Sequence, residues 1–216
     1  TIDKRHYHFF DDERKTLQEG LEERLPGYEV VIVSRSKDER KVLVRTYSDR
    51  SLGSYYYFNR DTNDFKKLVD ISPWLNEDEL SEMKPITYKS RDGLTIHGYL
   101  TVPKGMRAKD LPVVVNPHGG PWARDTWGYR SEVQFLANRG YAVLQVNFRT
   151  STGYGRKFWE AGFRQWGLAI QDDITDGVEW LIDQGIADPE RIGIYGGSFG
   201  GYATLAGVAF TPDLYA

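Results

Sequence analysis

Gly196-Gly197-Ser198-Phe199-Gly200 has the Gly-x-Ser-x-Gly spacing of a serine presented for acyl transfer. It follows the short apolar run Ile192–Tyr195 and precedes a small-residue stretch with helical potential. A sharp strand-to-helix turn would hold Ser198 in a strained backbone conformation with its hydroxyl above a sheet. Gly196 and Gly200 form this elbow because strand and helix can approach only where side chains are missing. Gly201, Ala203 and Ala206 keep the start of the helix slim. The competing reading is a glycine-rich helix start that packs or binds phosphate, but no phosphate-loop lysine accompanies it.

A second segment agrees. Asn116-Pro117-His118-Gly119-Gly120-Pro121 ends the apolar run Leu111–Asn116, where such enzymes build half of an oxyanion hole. Each backbone donor aimed at a developing oxyanion lowers the barrier by ~3–4 kcal/mol. We assign one donor to the N–H of Phe199 and the other to that of Gly120; the alternative for the glycine pair is an ordinary tight turn. His118 precedes the serine, whereas the base comes last in this chain order, so it reads as a loop-fixing group.

The elements needed to position these loops are legible in the pattern. Composition changes near residue 84: residues 1–83 hold 32 charged residues and three glycines, residues 84–216 hold 27 and nineteen. In the first half, "EVVIVSRS", "KVLVRTYS", "GSYYYFNR" and "FKKLVD" read as four antiparallel strands, with Val42, Val44 and Thr46 on one face. Four strands in about forty residues match one β-propeller blade, or a plain meander. Upstream, "HYHFFDDERKTLQEGLEERLPG" reads as an outer strand and a short amphipathic piece of a preceding blade. In the second half, "PITYKS" and "LTIHGYLTVP" flank the turn Arg91-Asp92-Gly93. "LPVVVN" and "YAVLQVNFR" read as buried strands, and "RSEVQFLANRG" as a helix stopped by Gly140. Residues 171–184 form the clearest helix, with Ile174, Val178, Leu181 and Ile182 on one face and Asp172 and Asp173 at the positive dipole end. "RIGIYG" is the next strand. The fold class is α/β: a mostly parallel sheet with flanking helices, preceded by the last blade or blades of a propeller.

Bulk properties exclude other classes. Apolar content of 40% with 14% aromatics supports a packed core. A net charge of −3 without a single-sign block argues against nucleic-acid and anionic-membrane partners. No apolar run approaches the ~20 residues of a membrane span, and no apolar signal segment follows Thr1. Without cysteine there is no disulfide, thiolate metal site or thiol nucleophile, which leans toward a cytoplasmic setting, although periplasmic proteins also lack cysteine. No cofactor or metal is called for.

"HGGP", "NFRTSTGYG", "DDITDGVEWL", "ADPERIGIYGGSFGGYATLAG" and "TPDLYA" together resemble the prolyl oligopeptidase family of serine peptidases, most closely its acylaminoacyl-peptidase-like and bacterial dipeptidyl-peptidase-like members. The similarity runs from about residue 28 to the end. It implies a propeller over an α/β-hydrolase domain, with Ser198 as nucleophile and Phe199 and the His-Gly-Gly-Pro loop around the oxyanion. The division that follows is 1–75, propeller; 76–84, linker; 85–216, the N-terminal part of the hydrolase domain. Two residues depart from the family pattern: Thr150 stands where glycine is usual, and Phe199 replaces the commoner tyrosine.

An acid and then a histidine should follow the serine. After Ser198 there is no histidine, and Asp213 comes too early to be the acid. His6, His8, His97 and His118 all precede it, and none is a plausible base. The chain therefore reads as a central slice of a longer enzyme, inactive and poorly soluble alone. Three functions remain: a serine peptidase acting on short or acylated peptides, an esterase or lipase with the same elbow, and a non-catalytic scaffold. Trp122 either borders the specificity pocket or packs in its loop; Trp159 and Trp166 are expected to anchor their segment to the core.

Overall fold

A computed structural model describes residues 3–215. Residues 3–80 with 128–130 form one compact unit, and residues 81–127 with 131–215 form another.

In the first unit, α1 (Asp12–Arg24) starts at Asp11, whose carboxylate accepts the Arg14 N–H at 2.8 Å. Good helix formers fill it, and Leu17, Leu21 and Leu25 recur every fourth residue along one stripe. The stripe packs with Val30, Val42, Val44 and Phe58 of an antiparallel meander in the order β1 (Glu29–Arg35), β2 (Lys41–Tyr47), β3 (Ser54–Asn59), β4 (Asp64–Asp70). Val42, Val44 and Thr46 are buried on one face, as the alternation requires. The strand expected upstream is absent among the described residues: 3–11 are irregular, and the charged segment behind them is a full helix. Its Gln18 amide donates to the Val30 carbonyl at 2.9 Å, fastening helix to sheet edge.

The second unit is built on a five-stranded sheet. Its elements are β5 (Met83–Lys89), β6 (Thr95–Thr101), β7 (Leu111–Val115), α2 (Ser131–Asn138), β8 (Ala142–Asn147), α3 (Arg156–Glu160), α4 (Ala169–Asp183), β9 (Ala187–Ile194) and α5 (Phe199–Phe210). The strand order is β5-β6-β8-β7-β9. The hairpin makes β5 and β6 antiparallel, and β6 runs antiparallel to β8; only β8-β7 and β7-β9 are parallel. The sheet is therefore mixed rather than mostly parallel. All six residues of β8 are buried; since successive side chains point to opposite faces, both faces of the sheet are covered there.

Ile174, Val178 and Leu181 of α4 are fully buried against Ile96, Leu144, Val146 and Ile192. Each such side chain contributes roughly 1.5–3 kcal/mol of burial. β9 starts at Ala187, ahead of the expected Arg191, because its pairing with β7 slips between Leu111 and Val113, and this accommodates Pro189 on an edge strand.

Candidate functional site

β9 ends at Ile194 and α5 begins at Phe199, so Ser198 occupies the bend. Its backbone has φ 57° and ψ −121°, a combination costly for any residue with a Cβ. Ser198 is exposed, and its hydroxyl bonds no other described residue. The surrounding clamp explains why the conformation persists. Tyr195 N–H donates to the Val115 carbonyl at 2.9 Å, and the Asn116 amide donates to the Tyr195 carbonyl at 2.8 Å. The Ser198 carbonyl accepts the Tyr202 N–H at 3.0 Å, the first helical bond of α5.

The glycines are spacers of close approach. A Cβ on Gly200 would stand 2.1 Å from the Pro117 carbonyl oxygen, and one on Gly196 would stand 2.7 Å from the Gly200 carbonyl carbon. The elbow and the 116–121 loop are thus pressed backbone to backbone. A Cβ on Gly119 would lie 3.3 Å from the Gly197 carbonyl oxygen and 3.4 Å from the Ser198 Cβ. Gly120 has φ 129°, in a turn too tight for a side chain: a Cβ there would meet the Trp122 nitrogen at 2.8 Å.

His118 is fixed on three sides. Its Nδ1 is 2.7 Å from the Gly119 carbonyl oxygen, its Nε2 is 2.9 Å from Ser151 Oγ, and its ring stacks on Phe148 at 4.3 Å. Phe148 in turn packs on Phe199 at 5.3 Å. Gly196 and Ser198 in the bend and Phe199 and Gly200 in the first turn of α5 therefore abut the 116–121 loop, which carries Gly120 and His118. His97 lies on β6, stacked on Tyr154 at 4.6 Å, and Asp213 is exposed in the turn after α5. His6 and His8 precede α1 in the first unit.

Phe158, not Trp159, is the buried anchor of its segment; Trp159 meets Phe163 edge-on at 4.5 Å. Trp166 is half exposed and leans on Phe199 at 4.9 Å, and Trp122 is exposed. The residue before Ser151 is also unusual. Thr150 has φ 80°, is buried, and its hydroxyl has no partner among the described residues.

Sequence reasoning missed the charges beneath this loop. Asp173, fully buried, accepts Arg149 N–H and Nε at 2.8 Å each on one oxygen and Nη2 at 2.7 Å on the other. Arg149 also donates to Asp92 at 2.7 Å. Asp176 accepts the Arg91 N–H and guanidinium and the Ser90 hydroxyl. Asp173 is therefore not a dipole-compensating surface residue but an internal partner. Hydrogen bonds donated to Asp173 raise the Arg149 guanidinium above its ordinary value, so it stays charged while buried. Arg149 also lowers the Asp92 carboxyl. Burial opposes ionisation of Asp176, but the bonds from Arg91 and Ser90 hold it below the usual carboxylate range. The only available signal was that these charges punctuate otherwise apolar segments.

Among the described residues no cluster of His, Asp and Glu is arranged to hold a metal ion, and no helix is long and apolar enough to cross a membrane. A groove of ≈ 800 Å³ lined by Asp12, Glu13, Arg24, Phe58 and Arg60 lies wholly in the first unit and includes none of the elbow residues.

Residues 127–216 match the prolyl oligopeptidase family. The chain is 41% identical over 205 residues to dipeptidyl aminopeptidase BIII of Pseudoxanthomonas mexicana, an alignment covering 92% of the chain and 30% of that protein. The crystal structure of a puromycin hydrolase superposes with a TM-score of 0.70 at 27% identity, over 82% of the chain and 28% of that structure. Acylaminoacyl peptidase of Pyrococcus horikoshii superposes with a TM-score of 0.68 at 28% identity, over 85% of the chain and 30% of that structure. The chain thus spans less than a third of the length of the proteins it resembles. These homologues are peptidases, and the α/β fold of the chain is similar to that of the two solved structures. The chain carries a prolyl oligopeptidase family domain, homologous to dipeptidyl aminopeptidases and acylaminoacyl peptidases.

Proposed function

We propose that Ser198 is the nucleophile of a serine peptidase acting on short or N-acylated peptides. The observation that carries this reading is the exposed serine at φ 57°, ψ −121° in the bend between the edge strand β9 and the helix α5. In this reading Ser198 Oγ attacks the scissile carbonyl carbon while its proton passes to a histidine base. The oxyanion that forms accepts hydrogen bonds from the N–H groups of Phe199 and Gly120. Collapse breaks the C–N bond, the amine leaves with the proton from the base, and water then hydrolyses the acyl-enzyme. The reading requires a histidine and an acid from outside these 216 residues, since His118 is engaged with Gly119 and Ser151. Peptide substrates are favoured over esters by the names of the homologues. The four-stranded meander within residues 1–75 is read as the last propeller blade, residues 76–84 as linker, and residues 85–216 as the start of the hydrolase domain.

The test is hydrolysis of dipeptidyl and acylaminoacyl p-nitroanilides by the full-length protein. Turnover that falls at least ~10⁴-fold in Ser198→Ala supports the reading. Turnover of simple esters alone favours the esterase reading.

A further inference from the structure

We propose that His118 is a positioning residue for catalysis: it sets the plane of the Gly119–Gly120 peptide and so aims the Gly120 N–H at the oxyanion. The inference rests on the reading of Ser198 and Gly120 given above and adds a role for a histidine that reading leaves aside.

A carbonyl oxygen only accepts, so the 2.7 Å approach of His118 Nδ1 to the Gly119 oxygen places a proton on Nδ1. In the neutral ring Nε2 is then the acceptor, and Ser151 Oγ, 2.9 Å away, donates to it. Ser151 is fully buried, so this bond is shielded from water and fixes one tautomer. The Gly119–Gly120 peptide is planar and trans, with C=O and N–H pointing in opposite directions. Holding the carbonyl on the imidazole therefore turns the Gly120 N–H away from the ring. The bond also draws electron density toward the Gly119 oxygen, which makes that N–H a stronger donor. Glycine at both positions leaves the peptide no side chain to lock it, so the constraint must come from elsewhere.

The same ring reaches the other proposed donor. His118 stacks on Phe148, and Phe148 packs on the buried ring of Phe199, whose N–H is the second oxyanion partner. One aromatic stack thus ties the two donors together from opposite ends. Misplacing a reacting or stabilising group by about 1 Å costs up to ~10²-fold in rate.

The experiment uses the full-length protein and a dipeptidyl p-nitroanilide, with fluorophosphonate labelling of wild type as the reference. His118→Leu keeps the bulk but removes both ring nitrogens; kcat is expected to fall on the order of 10–100-fold, with KM within about twofold. His118→Asn carries its amide nitrogen on Cγ, where Nδ1 sits, and should recover most of the lost kcat. Ser151→Ala removes the tautomer-fixing bond and should lower kcat in the same direction by a smaller factor. If His118→Leu fails to fold, the Asn and Ala variants decide. A His118→Leu enzyme with wild-type kcat, an Asn variant no better than Leu, or a Ser151→Ala enzyme altered only in KM overturns the proposal. Wild-type protein that neither labels nor turns over sinks the Ser198 reading, and the His118 role with it.

Discussion

Ser198 and Thr150 both sit at positive φ with a Cβ, and the two cases separate function from tolerance. At Ser198 the strain exposes a hydroxyl and is held by a backbone clamp from Val115, Asn116 and Tyr195. At Thr150 the β-branched side chain is buried at φ 80° with an unpartnered hydroxyl, and nothing in the structure explains why threonine is there. Thr150→Gly should therefore stabilise the protein by about 1 kcal/mol, strain relief outweighing the added chain entropy. Chemical denaturation measures it; a lower midpoint would mean that the Thr150 side chain contributes more by packing than its backbone costs. At this scale the sequence was most informative where a motif demands glycine. Gly196 and Gly200 are readable as spacers because their roles are backbone contacts, whereas His118's side-chain partner Ser151 lies in a loop 33 residues away with no periodicity to link them.

At the scale of elements, α4 and the β5–β6 turn are joined by the charges that composition reports only as a total. Asp173→Ala would leave Arg149 buried with half its partners, a loss of about 3–5 kcal/mol. Thermal or urea unfolding of the variant measures it, and a change under 1 kcal/mol would contradict the pairing. Asp176 gives a pH test. Its folded carboxyl titrates below the unfolded value of ~3.9, so its bonds to Arg91 and Ser90 stabilise above that pH and are lost as pH falls through the lowered folded value. Asp176→Asn should cost ~2 kcal/mol at pH 6, and the difference from wild type should shrink toward pH 3. A difference that grows on acidification would reverse the sign assigned here. Element types were largely legible, since buried strands and the α4 stripe declare themselves by hydrophobic pattern. Sheet direction was not: nothing local in "LTIHGYL" tells that β6 pairs antiparallel with β8. The segment before β1 misled because short aromatic alternation resembles a strand, while the helix behind it shows only when Leu17, Leu21 and Leu25 are taken together.

For the molecule as a whole, the edge strand β9 and the outer face of α5 dominate behaviour in isolation. Leu205, Val208 and Phe210 are exposed along α5, an apolar face of the kind that drives association. The 216 residues expressed alone should self-associate, and Leu205→Lys with Phe210→Glu should shift them toward monomer in size-exclusion chromatography. An unmodified chain that elutes as a monomer would contradict this. The isolated residues should also fail to turn over peptide anilides, because a serine without its base is a poor nucleophile at neutral pH. Turnover abolished by Ser198→Ala would refute that expectation.

The central claim is that the bend between β9 and α5 presents a reactive serine. Peptide mapping of the full-length protein after fluorophosphonate treatment tests it most directly. The account predicts one adduct, on Ser198, absent from Ser198→Ala; a properly folded protein in which Ser198 stays unmodified would contradict it.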